Sequence, residues 1–228
     1  MFGKERYPRI LQAFLENGYS FKSFTSPGDS KTIYLRHDID FSVHDAYSIA
    51  LEEKKLGIQS TYFFMLTSNT YNLMSESNRT LVEEVKNLGH TVSLHFDPVA
   101  YQDLDEGFLI EKNTFSRVFN VEIDVISIHR PGDFLINNNR KLHGCLHTYE
   151  DKFFKEMNYI SDSGGRDISE KLKEISTSEP DKPLHLLLHP IWWTSDTESP
   201  TETLNDWLGR NSDFLIEETR RNCKTFKG

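Results

Sequence analysis

The sequence predicts an α/β protein in which parallel strands alternate with helices inside one domain spanning residues 1–228. Three observations carry that expectation. Short apolar, β-branched runs alternate with helix-period segments about six times. Glycines close several of the helical segments, at Gly18, Gly57 and Gly89. Ionisable side chains gather at the C-terminal ends of the strands, where parallel α/β sheets build their sites. Periodicity alone leaves open whether the sheet closes.

Residues 5–17 place Ile10, Leu11, Phe14 and Leu15 at helical spacing. A strand at 32–37 precedes a helix at 43–56 that recurs through Ala46, Ile49, Ala50 and Leu56. The run 59–66 is aromatic and β-branched, which fits a strand. Ser77 stands ready to cap a helix over 78–88, with Leu81, Val82, Val85 and Leu88 as its stripe. A strand at 91–96, a helix over 104–119 carrying Phe108, Leu109, Phe115 and Phe119, and a strand at 123–128 follow. Residues 133–148, with asparagines at 137–139, read as irregular. A short helix near 150–157 leads to a strand at 158–161, and 164–183 reads as loop with one or two helical turns. The run 184–188 is a strongly apolar strand, and 203–222 a final amphipathic helix. No repeat or low-complexity stretch divides the chain.

Composition narrows the function. The 228 residues carry a formal net charge of -9 and no long basic cluster, so nucleic acid is not an expected partner. The two cysteines, Cys145 and Cys223, form no paired motif, which argues against a disulfide framework or a zinc-thiolate site. No apolar run suits a bilayer span, and the N-terminus lacks a signal-peptide core, so the expected compartment is the cytoplasm.

The strand ends supply the chemistry. Asp38 and Asp40 follow the first strand, His95 and Asp97 end the 91–96 strand, and His129-Arg130-Pro131-Gly132 follows 123–128. Asp162-Ser163 follows 158–161, and His189-Pro190 ends 184–188. Asp38 and Asp40 lie two apart, so they share one face of an extended chain, an arrangement that calls for a cation or a shared proton. Each residue alone has a structural explanation, as a helix cap, a turn or a satisfied histidine. Five strand ends on one rim favour a site. Asp and His suit zinc or a similar divalent ion. A second carboxylate suits a general base and an opposing His a proton donor, so metal-assisted hydrolysis of an amide or ester uses all the parts. No nucleophile elbow, dinucleotide fingerprint or phosphate-cradling loop is present.

In this order the residues resemble the polysaccharide deacetylases, the NodB-homology group of carbohydrate esterase family 4. The resemblance runs from about Thr32 to Trp193. His37-Asp38-Ile39-Asp40 resembles the first motif in a His-Asp-x-Asp variant, which implies Asp38 as catalytic base and Asp40 as metal ligand. His95 resembles the first metal histidine of the second motif. His129-Arg130-Pro131-Gly132 resembles the third, implying that Arg130 orients the base. Asp162 resembles the fourth motif's acid, implied to contact that arginine, and His189 the fifth motif's general acid. The resemblance implies a deformed (β/α) barrel of about six to seven parallel strands. It also implies a divalent metal, with zinc expected, and deacetylation of an N-acetylated sugar.

One position departs. The second metal histidine of the second motif falls on Val99, which cannot bind a metal. Asp97, His37 and His129 are the candidates to complete the set, and Asp97 is the ligand expected here. In the expected compartment the substrate would be a sugar nucleotide, a lipid-linked sugar or an oligosaccharide intermediate, as in surface-polysaccharide assembly. Trp192 and Trp193 are expected either to stack on a sugar or to pack the barrel rim. The alternative function is a degenerate member that binds a glycan without hydrolysing it.

Overall fold

The computed structural model describes residues 3–228. In chain order the elements are α1 (Arg6–Glu16), β1 (Ser20–Phe21), β2 (Thr32–Ile39), α2 (Val43–Lys55), β3 (Thr61–Phe64), α3 (Glu76–Asn87), β4 (Thr91–Phe96), α4 (Leu104–Phe119) and β5 (Val125–Ile128). Then come α5 (Pro131–Asn138), β6 (Leu146–His147), α6 (Asp151–Phe154), β7 (Asn158–Ser161), α7 (Ser169–Ser176), β8 (Leu184–Leu188) and α8 (Pro200–Asn222). The strands run β6-β5-β4-β3-β2-β8-β7, every pair parallel, with β1 alongside the start of β2. β6 and β7 are the two ends of this order. The ring contacts of Tyr149 after β6 with Tyr159 on β7 and with Phe154 bring those ends together, at centroid distances of 6.5 and 5.5 Å. The result is a deformed (β/α) barrel with an open seam between β6 and β7, as the motif order implied.

The chain differs from expectation where elements are short. Residues 133–148 contain α5 and β6. Pro131 opens α5 with its φ already set, and only Phe134 of that helix is buried, so no apolar stripe marks it in the sequence. β6 has two residues, too few for a period to register. β2 runs two residues beyond the expected end and takes in Asp38. α3 starts at a Ser75 cap in place of Ser77, and α8 at a Ser199 cap with Pro200 in its first turn.

Period-two alternation gives every strand two faces. On β2, Ile33, Leu35 and Ile39 join the large apolar cluster between sheet and helices, with Leu94 and Phe96 of β4, Ile126 and Ile128 of β5, and Leu186 and Leu188 of β8. The alternate residues face the interior. Its floor is a second cluster of Phe24, Tyr34, Phe63, Val125 and Phe153. Above Tyr34 on the same face of β2 stand Arg36, then Asp38, with Asp40 just past the strand. The same parity aligns Ser93 with His95, Ser127 with His129, and His185 with His189.

His37 points the other way, into a buried polar cluster around Glu53 of α2. Glu53 accepts from His37 Nε2 at 2.7 Å, Ser60 Oγ at 2.5 Å, Tyr62 OH at 2.8 Å and the Tyr7 hydroxyl. Burial pushes its carboxyl up, but His37 and these donors hold it at about 2. The cluster ties α1, α2, β2 and β3 into one unit behind the site. No helix of the described residues is long and apolar enough to cross a membrane.

Removal of the Glu53 carboxylate strands four buried donors. Glu53→Ala is expected to lose about 3–5 kcal/mol of stability in urea unfolding at neutral pH. A carboxylate held low in the folded state stabilises above its ordinary value of 4.5 and loses that contribution as pH falls toward about 2. The deficit of the variant should therefore shrink across that window.

Candidate active site

The C-terminal rim brings together Asp38, Asp40, His95, His129, Asp162 and His189. Asp40 Oδ1 lies 3.2 Å from His95 Nε2 and 3.5 Å from His129 Nδ1, and those two nitrogens are 3.2 Å apart. A tetrahedral site with nitrogen and oxygen ligands at about 2.0–2.1 Å has edges of about 3.3–3.4 Å. The triangle matches that size, and its donors suit zinc or a similar ion. Three ligand-type atoms that face one another in a partly buried pocket make a fitting ligand set. Burial pushes the Asp40 carboxyl up, but hydrogen bonds from His129 and His95 and the His189 charge hold it far below the usual range.

Asp38 sits one layer deeper and is 3% exposed. Its Oδ2 accepts from Ser127 Oγ at 2.9 Å and from Arg36 Nη2 at 3.2 Å, and lies 3.8 Å from His95 Nε2. Among the described residues Oδ1 has no hydrogen-bond partner. Arg36 is fully buried and remains charged. Burial opposes its proton, but Asp38 and Tyr149 hold it. Its guanidinium also donates to Tyr149 OH at 2.8 Å and to the Thr148 hydroxyl, and lies 4.7 Å from the Tyr149 ring centre. The arginine thus spans the interior from β2 to the residues after β6.

His189 is on the far side of Asp40, with Nε2 3.7 Å from Asp40 Oδ2. Its Nδ1 donates to Asp162 Oδ1 at 2.6 Å, and its backbone N–H donates to both Asp162 oxygens. Burial would lower the imidazole, but Asp162, Asp40 and Asp38 raise it to about 9, so it holds two protons at neutral pH. Trp193 Nε1 donates to Asp162 Oδ2 at 2.7 Å. Burial lowers His95 as well, but Asp38 and Asp40 raise it overall.

Four expected roles fall differently. Asp97 lies outside the triangle. Its Oδ1 accepts from the Val99 N–H at 3.1 Å and caps a 3₁₀ turn, and Val99 itself faces outward. His129 takes the third corner because it continues the inward parity of Ser127. Arg130 contacts neither Asp38 nor Asp162. It is exposed, in the left-handed region at φ 48°, and Arg36 binds Asp38 instead. Trp192 and Trp193 are buried beneath the rim, so neither presents a stacking face. Rim packing is the alternative that the structure shows. Arg36 and Ser127 escaped sequence reading. Their signal was parity, because each stands two residues before a rim residue on the same face.

A larger cavity of about 620 Å³ opens between α2, α8 and residues 193–197, lined by Asp45, Glu52, Asp206 and Arg210 among others. It contains none of the triangle, and a separate narrow cleft lies beside Asp38, Asp40 and His189.

No family model and no curated protein matches this chain. The chain is similar to solved carbohydrate esterases of family 4. The deacetylase PplD of Streptococcus pyogenes, in complex with acetate, aligns at 16% identity over 83% of this chain and 84% of its own, with a TM-score of 0.46. The peptidoglycan deacetylase PdaC of Bacillus subtilis aligns at 10% identity over 87% and 99%, with a TM-score of 0.45. A family 4 pseudoenzyme from Bacillus anthracis aligns at 12% identity over 82% and 62%, also at 0.45. The chain spans less than two thirds of that pseudoenzyme's length.

Titration with zinc, read by elemental analysis after desalting, separates the two candidate third ligands. His129→Ala is expected to lose most of the bound ion and Asp97→Ala to retain it. The opposite ranking would return the third corner to Asp97.

Proposed function

We propose that this chain is a metal-dependent hydrolase that removes an acetyl group from an N-acetylated sugar or glycan intermediate. The reading rests on one observation. A buried carboxylate with an unpartnered oxygen, Asp38, and a doubly protonated imidazole, His189, flank Asp40 of the Asp40–His95–His129 triangle. Polarisation of an acyl carbonyl and of water is the chemistry that a divalent ion in such a triangle supplies. The protein's own groups perform the remaining tasks.

Asp38 Oδ1 is the acceptor for a proton from the attacking water. Arg36 and Ser127 hold Oδ2, which fixes the carboxylate and leaves Oδ1 without a hydrogen-bond partner among the described residues. His189 keeps Nδ1 committed to Asp162 and offers Nε2–H to the leaving nitrogen. The Asp162 clamp on the backbone of His189 fixes the ring's entry angle, and Trp193 fixes Asp162. Base and acid are thereby separated in role by their neighbours: an arginine pairs with the one, and a carboxylate keeps the other protonated.

The substrate class we infer is a sugar nucleotide, a lipid-linked sugar or an oligosaccharide intermediate of surface-polysaccharide assembly, with zinc as the metal. The second reading, a glycan-binding protein without turnover, was motivated by Val99. The position of His129 weakens that motive, because it offers the ligand that Val99 lacks.

Acetate release from N-acetylated sugar nucleotides and oligosaccharides is the direct assay. Asp38→Asn is expected to lower turnover by about 10²–10⁴-fold while zinc binding is unchanged. Full activity in that variant would end the assignment of the base. Glycan binding that ignores chelators, with no acetate released by the native chain, would favour the second reading.

A further inference from the structure

His189 is held by a series of contacts that leaves the barrel and ends on the first helix. From His189 the backbone makes one 3₁₀ turn, Pro190–Trp192, and the Trp193 N–H closes it on Pro190 O at 2.9 Å. That turn brings the indole back to Asp162, where Nε1 donates to Oδ2 at 2.7 Å while His189 Nδ1 donates to Oδ1 at 2.6 Å. The Trp193 ring in turn meets the Tyr7 ring of α1, at 5.6 Å between centres and an interplanar angle of 56°.

Tyr7 reaches this point because α1 turns one face inward. Tyr7, Leu11 and Phe14, four and three residues apart, are its buried residues. The Tyr7 hydroxyl donates to Glu53 of α2 and lies 3.3 Å from His37 Nε2. Burial, and after it Glu53, pushes the phenol well above its ordinary value, so it keeps its proton. Unlike Leu11 and Phe14, Tyr7 carries a hydroxyl, so one end of its ring is held by a directional bond while the ring packs on the indole. Tyr7, Trp193 and Asp162 are all buried. A ring lost from such a place leaves a gap into which its neighbours shift.

We propose that Tyr7 is a positioning residue for the reaction: its ring fixes the Trp193 indole, which fixes Asp162 and with it the direction of His189 Nε2–H. The proposal rests on His189 being the proton donor. It makes the Glu53 cluster, on the helix side of the sheet, the far anchor of a group that acts at the rim.

A double-variant cycle tests this in the zinc-loaded full chain, read by acetate release from oligomers of N-acetylglucosamine and by the indole N–H signals in solution NMR. Y7L is expected to lower kcat about 10–100-fold with KM little changed, to move the Trp193 Nε1–H signal and to speed its exchange with solvent. W193F removes the donor and identifies the signal by its loss. It is expected to lower kcat by a similar factor, and Y7L added to W193F to lower it no further. Y7F restores the ring and should recover most of the turnover and the native signal. An equal loss from Y7L in both backgrounds, an unmoved indole signal in Y7L, full turnover in W193F, or a Y7F that behaves as Y7L does would each overturn the proposal. Should circular dichroism show that Y7L does not fold, Y7M, closer to the native side chain in length and able to fill gaps, takes its place in the cycle. A native chain that releases no acetate would overturn the reading of function, and the indole signals would then decide by themselves whether Tyr7 positions Trp193.

Discussion

Three carboxylates gathered at one rim, two of them buried, are the constraint on which the rest of the structure depends. Asp38 and Asp162 are buried and Asp40 is partly buried, so like charges there repel more strongly than in water. Each is compensated separately. Arg36 neutralises Asp38 from below, His189 neutralises Asp162 from the side, and two imidazoles face Asp40 from across the barrel. The compensation is directional, and it sorts the three acids into different chemistry. The acid bound by a fixed cation keeps one oxygen free. The acid bound by a titratable cation raises that partner's hold on its proton. The acid bound by two imidazoles becomes a corner of a cation-sized triangle.

The strand pleat makes this arrangement possible. Arg36, Asp38 and Asp40 are two apart and climb one face of β2, so a single strand delivers a cation and two carboxylates at successive heights. The intervening His37 faces outward into the Glu53 cluster, where burial is equally complete and the hydrogen bonding denser. β2 therefore carries Ile33, Tyr34 and Leu35 in its first half and Arg36, His37 and Asp38 on its two faces beyond them. That gradient places the chemistry at the rim and the aromatic floor at the base.

Much of this was legible in the sequence, and the gaps have physical causes. The alternation of strands and helices, the one-sided clustering of ionisable groups, and the pairing of Asp38 with Asp40 all follow from local patterns that the fold preserves. Residues 133–148 did not read as structured because α5 buries one side chain and β6 is two residues long, so neither leaves a period. The tryptophans left two readings open because a rim position and a stacking position have the same sequence signature, and only burial separates them. Arg36 was passed over as part of a strand because a buried arginine makes sense only once its partners, Asp38, Thr148 and Tyr149, are seen to converge from distant segments.

The two departures from the motif pattern share one explanation. A histidine missing at Val99 is matched by His129, and an arginine that leaves the base at Arg130 is matched by Arg36. In both cases the substitute comes from a different strand or a different height and reaches nearly the same point in space. A curled parallel sheet permits this, because inward residues of neighbouring strands converge on one axis, and a donor lost from one wall can be replaced from the next. What the site holds constant is a set of positions for charges and lone pairs. Motif-by-motif inheritance fails at such places, because a motif records which segment supplied a group and the chemistry requires only where the group arrives.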